Sequence, residues 1–155
     1  MIEPELANRI GVLADTQLRP AAEGDLTKLQ ALGLPSLVVD FYRSYEPAEY
    51  AEIEGVRLWP ISEVIEENQR YVPGVDVCPH GFVVFASTVS GDAYCFDLAV
   101  TEPRVVLLSH EVPFEGMPRQ QIQALAKSVA ANLDAFLSSF AAGTLELEPL
   151  DESPS

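Results

Sequence analysis

Apolar positions recur along this chain at two different periods, and the change of period divides it into elements. Leu6, Ile10 and Leu13 stand at helical spacing and predict a first helix over 5–14. Asp25 is placed to cap a second through Leu26, Leu29 and Leu32, stopped by Gly33. Leu34-Pro35 leads into Ser36, an N-cap residue. Leu37, Val38, Phe41, Tyr42 and Tyr45 then share one face of a third helix that Pro47 ends. Beyond it the period falls to two. Ile53-Glu54-Gly55-Val56 reads as a turn into the alternating Val56-Arg57-Leu58, and Ser62 opens a fourth helix through Val64, Ile65 and Tyr71 that stops at Pro73-Gly74.

Three strand-like runs follow: Phe82–Ser87, Ala93–Leu98 and Val105–Ser109, the first two joined by the turn Ser90-Gly91-Asp92. A parallel crossover takes about a dozen residues or more, so connections this short predict an antiparallel meander. Ile122, Leu125, Val129, Leu133, Phe136, Leu137 and Phe140 then repeat at three and four. They predict one long C-terminal helix over Pro118–Ala141, with proline in its first turn and Gly143 at its end. The expected fold class is α+β: a central, mainly antiparallel sheet flanked by helices, in a single domain over residues 1–143. Residues 144–155, acidic and proline-bearing, are expected to form a flexible tail.

Composition narrows what such a domain does. Twenty-four acidic residues against nine basic ones leave a formal net charge of −15. Nucleic acids and anionic membranes attract cationic surfaces, so neither is an expected partner. Either the charge serves solubility, or it steers a basic protein toward this surface. The N-terminus carries neither the basic nor the apolar region of a secretory signal, and no apolar run approaches the ~20 residues of a membrane span. The expected location is the cytoplasm, with Cys78 and Cys95 as free thiols.

Chemistry is scarce. Cys78-Pro79-His80 sets a thiol near a base, but no second ligand pair stands at zinc-site spacing. Cys95 alternates with Tyr94 and Phe96 as a core position would. His110 and Glu111 are adjacent at a strand end and point apart. Asp92 and Asp97 lack the loop pattern of a calcium site. No phosphate-binding loop or nucleophile elbow appears. The expectation is a non-catalytic protein without metal or cofactor. The richest segment is 40–67, where Asp40, Glu46, Glu49, Glu52, Glu54, Glu63, Glu66 and Glu67 face only Arg43 and Arg57, with tyrosines interleaved. Carboxylates among aromatics suit a surface that grips basic side chains, though a merely solvated face has the same composition. Tyr45, Glu46, Glu49, Tyr50, Glu52, Glu54 and Trp59 are the candidate partner-binding residues. Trp59 reads either as core or as an interface anchor.

Four stretches, in order, resemble the SUKH superfamily, the Smi/Knr-type domain. They are Leu34-Pro35 with its helix and then Val56 through Val64; Phe82–Ser87 with Gly91-Asp92 and a strand ending in Asp97; Val105 through Glu111; and Asn132 through Leu137. The resemblance spans about Asp25 to Phe140. It departs from the family at Glu46-Pro47-Ala48-Glu49, where relatives often carry an Asn-Gly turn. It implies an α+β domain that binds proteins. Many bacterial members are immunity proteins that neutralise toxins, often nucleases, and fungal relatives are regulatory scaffolds. The function expected is therefore binding of a basic toxin domain, with a scaffold role as the alternative and an enzyme using Cys78, His80 or His110 as a further one.

Overall fold

The computed structural model describes residues 2–150. Helix α1 (Pro4–Ala14) is followed by α2 (Glu23–Ala31) and α3 (Ser36–Tyr45). Between them, the two-residue strands β1 (Leu18–Arg19) and β2 (Glu46–Pro47) pair antiparallel and tie the segment after α1 to the end of α3. On α1 the buried stripe is Ala7 and Ile10, while Leu13 is turned outward and is 51% exposed.

The main sheet is an uninterrupted antiparallel meander of β3 (Ala51–Ile53), β4 (Val56–Leu58), β5 (Phe82–Thr88), β6 (Ala93–Asp97), β7 (Arg104–Leu108) and β8 (Lys127–Ala130). The expected three-strand meander is its centre. The β3–β4 hairpin turns on Glu54 and Gly55, both at positive φ (47° and 84°), as two-residue hairpins favour. Between β4 and β5 lie α4 (Ile61–Arg70), the short α5 (Gly74–Val77) and a 3-10 turn at Cys78–His80. Residues of β5, β6 and β7 are almost continuously buried, because helices cover both faces. On one face α7 (Leu133–Ala142) lays Phe136 against Phe85 and Tyr94, with ring centroids 4.9 and 5.3 Å apart. On the other face, α4, α5 and the 3-10 turn pack.

The long C-terminal helix is not formed. Its span divides into α6 (Arg119–Leu125), β8 and α7. Two local causes are visible. Ala126 leaves the helical region (φ −88°, ψ 128°), and Asn132 is an extended N-cap whose Oδ1 accepts the Ala135 N–H at 2.8 Å. The decisive cause is tertiary. Without β8, the backbone of β7, which is apolar and buried, would end the sheet as an open edge. Pairing Val106 with Ser128 and Leu107 with Lys127 satisfies it, and this outweighs the helical periodicity of four residues.

Two buried polar side chains join the layers. Asn68 of α4 spans to a bulge between Val84 and Ala86: its Oδ1 accepts Val84 N–H (2.9 Å), and its amide donates to the carbonyls of Val84 (2.7 Å) and Val64 (2.8 Å). Asp97, at the end of β6, accepts from Arg104 (3.1 Å), Arg119 (2.6 Å) and the Ala99 N–H (3.0 Å). Arg119 also donates to the His80 carbonyl and lies 4.4 Å over the Phe82 ring, which docks the start of α6 on the sheet. Gly74 sits where a Cβ would come within 2.3 Å of the Glu67 carbonyl oxygen, so α5 can approach α4 only with glycine there. Gly74→Ala is accordingly expected to cost about 1–3 kcal/mol, read from urea melts.

The tail divides too. Leu145 is buried, Tyr94 Oη donates to the Glu146 carbonyl (2.7 Å) and Lys127 Nζ to that of Glu148 (2.9 Å), so residues 145–148 are held against the domain. The last five residues of the expected tail, 151–155, lie outside the described residues.

Candidate protein-binding face

The register of the β3–β4 hairpin decides which charges meet. Ala51 and Ile53 point into the core, so Glu52 between them points out, directly across from Arg57; the two pair at 2.7 Å. Just before β3, Tyr50 is exposed. Its ring lies 5.9 Å from the Arg57 guanidinium carbon, and its hydroxyl donates to Glu63 of α4 at 2.8 Å. Glu67, one turn further along α4, falls on the same side as Glu63. Arg57 thus meets Glu52 and the face of Tyr50, whose hydroxyl links on to the carboxylates of α4.

Burial first, and then the neighbouring carboxylates, shift the ionisation of two of these groups. Burial, the hydrogen bond to Glu63 and the charges of Glu63 and Glu67 push the Tyr50 hydroxyl up to about 12, against a smaller opposing pull from Arg57. Burial, then the charge of Glu63, also raises the Glu67 carboxyl above its ordinary value. A second cation brought to this surface would find negative charge that Arg57 has not offset.

The seven candidates from the sequence do not form one cluster. Tyr50 and Glu52 lie in it, and Glu49 is exposed in the loop just before them. Glu46 is inward and structural: its Oε2 accepts the Ile61 N–H (2.8 Å) and so caps α4, whose N-cap Pro60 offers no side-chain acceptor. Tyr45 is half-buried beside Phe41 on α3. Glu54 is at the hairpin tip, against Gly143 at the end of α7. Trp59 is core, 5% exposed, with its indole N–H 3.3 Å from Ser87 Oγ, so the anchor reading gives way to the packing one. Arg57, Glu63 and Glu67 complete the cluster. The two-residue turn that places Glu52 opposite Arg57, and the four-residue spacing of the glutamates, are the signals for them in the sequence.

The residues weighed for catalysis are dispersed or engaged. Burial raises both thiols, and Cys78 and Cys95 are free. Asp92 and Asp97 stand at opposite ends of β6. Asp92 accepts both the backbone N–H of His110 (2.9 Å) and a bond with its Nδ1 (2.7 Å), whereas Glu111 follows on the exposed loop. Among the described residues no three His, Cys, Asp or Glu side chains gather as a metal site would require, and no helix is long and apolar enough to cross a membrane.

The six-strand meander between helical layers, with its aromatic strand flanked by Asp92 and Asp97, leads to one comparison. The model of the SMI1/KNR4 family (SUKH-1) matches residues 20–139. The chain belongs to that family. No curated protein matches it. In this SUKH-1 domain the two aspartates have distinct structural tasks, Asp92 fixing the loop after β7 through His110 and Asp97 fixing α6 through Arg119. The Tyr50 face lies on elements inside the matched span, and α1 lies wholly before it.

Proposed function

We propose that this SUKH-1 domain is a non-catalytic, cytoplasmic protein-binding module, most concretely an immunity protein that binds and neutralises a basic bacterial toxin domain such as a nuclease. The observation that carries this reading is the Tyr50 cluster, in which Glu52 pairs with Arg57 and Tyr50 with Glu63, and the carboxylates Glu52, Glu63 and Glu67 outnumber the one arginine. The overall charge of −15 extends the attraction beyond contact range. A carboxylate-rich face also presents to a nuclease the charge it meets on nucleic-acid phosphates. Neither property needs a catalytic group, a metal or a cofactor.

The test is a search beside its gene for a reading frame that encodes a basic polypeptide, and binding of the full chain to that polypeptide. Reversing Glu52, Glu63 and Glu67 to lysine is expected to weaken binding by about 3 kcal/mol together, roughly a hundredfold in Kd. Raising salt should chiefly slow association, since exposed charges are screened over about 8–10 Å at physiological ionic strength. Thermal melting should remain cooperative, with a modest loss because Glu63 and Glu67 are half-buried and Glu52 and Glu63 give up their bonds to Arg57 and Tyr50. A triple variant that melts normally and retains full affinity removes this face from the interface. A gene neighbourhood without any basic partner favours the scaffold role instead.

A further inference from the structure

A second concave surface lies beyond the C-terminal end of α4, remote in sequence from the Tyr50 hairpin. The α4–α5 connection forms one wall, with Val72, Pro73 and Asp76. The loop after β7 forms the other, with Glu111, Pro113 and Glu115, and the buried Phe114 contributes to the lining. The space between them is about 330 Å³. Val72 is 72% exposed and the neighbouring Tyr71 55%, so apolar surface stands open at the groove.

Charge selects the occupant. Asp76, Glu111 and Glu115 are the formally charged residues of the groove besides His110, and no lysine or arginine lines it. None of the three carboxylates makes an ion pair among the described residues. The His110 ring is claimed by the buried carboxylate of Asp92. Apolar walls with an acidic rim match a lysine or arginine side chain, which combines an aliphatic stem with a charged head. Both walls are held in place before anything binds. Val75 N–H bonds the Tyr71 carbonyl (2.8 Å) and Asp76 N–H that of Pro73 (3.0 Å). Opposite them, Ser109 Oγ accepts Glu111 N–H (3.2 Å), and Asp92 anchors His110. A preformed groove loses little entropy on closing around a ligand.

We propose that this groove binds an extended segment of a protein partner, with a lysine or arginine side chain flanked by apolar ones. The groove shares no lining residue with the Tyr50 cluster, and the proposal does not depend on that cluster. Three synthetic peptides of equal length test it on the full ¹⁵N-labelled chain: Leu-Arg-Leu in a Gly/Ser background, the same with Glu for Arg, and the same with Gly for both Leu. The Leu-Arg-Leu peptide is expected to shift the amides of Val72, Asp76, Glu111 and Phe114. The Glu peptide should leave them still, and the Gly peptide should bind more weakly. Glu111→Lys with Glu115→Lys should weaken the first peptide at least tenfold, and so should Val72→Ser, an exposed change that leaves folding intact. Glu63→Lys should leave it unchanged. The proposal is overturned by an absence of shifts, by equal shifts from the Glu peptide, or by shifts confined to the Tyr50 face that vanish in Glu63→Lys.

Discussion

Asp97→Ala is expected to destabilise the domain by about 3–5 kcal/mol, the range for removing one partner of a buried ion pair. The side chain of Asp97 is 2% exposed, whereas those of Arg104 and Arg119 are 34% and 29% exposed. Deleting the carboxylate leaves two guanidiniums partly desolvated and the Ala99 N–H without its acceptor. It also removes one of the three contacts by which Arg119 docks α6, and β8 follows α6 directly. Asp97→Asn, which keeps one acceptor oxygen, should lose less. The pH dependence gives a second, independent reading. Burial alone would raise this carboxyl, but the Ala99 N–H and the two arginines overcome it and hold the group below its ordinary value. A depressed folded-state pKa contributes stability that is fully present above the unfolded value, near 3.9, and is lost as pH falls through the lower folded one. In urea melts the gap between the parent chain and Asp97→Asn should therefore be widest near neutrality and close below about pH 4. A gap independent of pH would mean that the carboxylate charge is not what stabilises the cluster.

Asn68→Leu should cost nearly as much, about 2–5 kcal/mol, although it replaces a polar residue by an apolar one in the core. The bulge at Val84 leaves that residue's N–H and C=O facing α4 rather than a strand, and Asn68 takes both, as an added strand would. Leucine fills the space and leaves two buried backbone groups unpaired, each worth about 1–3 kcal/mol. The bulge also lets Phe85 join Phe96, stacked at 4.0 Å, and the edge of Phe136. Faster amide exchange at Val84, together with a lower urea midpoint at unchanged m-value, is the expected signature. A loss below about 1 kcal/mol would show that water or a shifted strand replaces Asn68 without difficulty.

Much of the fold is legible in residue pattern because its causes are local. The Glu54-Gly55 and Gly91-Asp92 turns, the proline stops and the apolar faces of α3 and α4 each follow from a few neighbouring side chains. The candidate face was half legible for the same reason. Tyr50 and Glu52 announce themselves as an aromatic and a carboxylate beside a hairpin. Trp59 does not disclose on which side of the chain it lies until β5 supplies Ser87.

Residue order by itself determined the α+β class, the antiparallel meander of β5, β6 and β7, and the family resemblance, since period, turn chemistry and connection length are written in consecutive residues. Three things were decided only by tertiary structure. The stretch from Arg119 to Ala142 carries a continuous helical period, yet its middle became β8, because the exposed edge of β7 offered unpaired backbone groups that no helix could satisfy. Glu46, half-buried, turned to cap α4, because Pro60 could not. Glu63 and Glu67 joined Tyr50 and Arg57 into one charged cluster, because the Tyr50 hydroxyl, just before β3, reaches Glu63 of α4. In each case the partner is remote in sequence or supplied by the packing of another element, and a pattern read along the chain registers a residue's own period without the groups it will be pressed against.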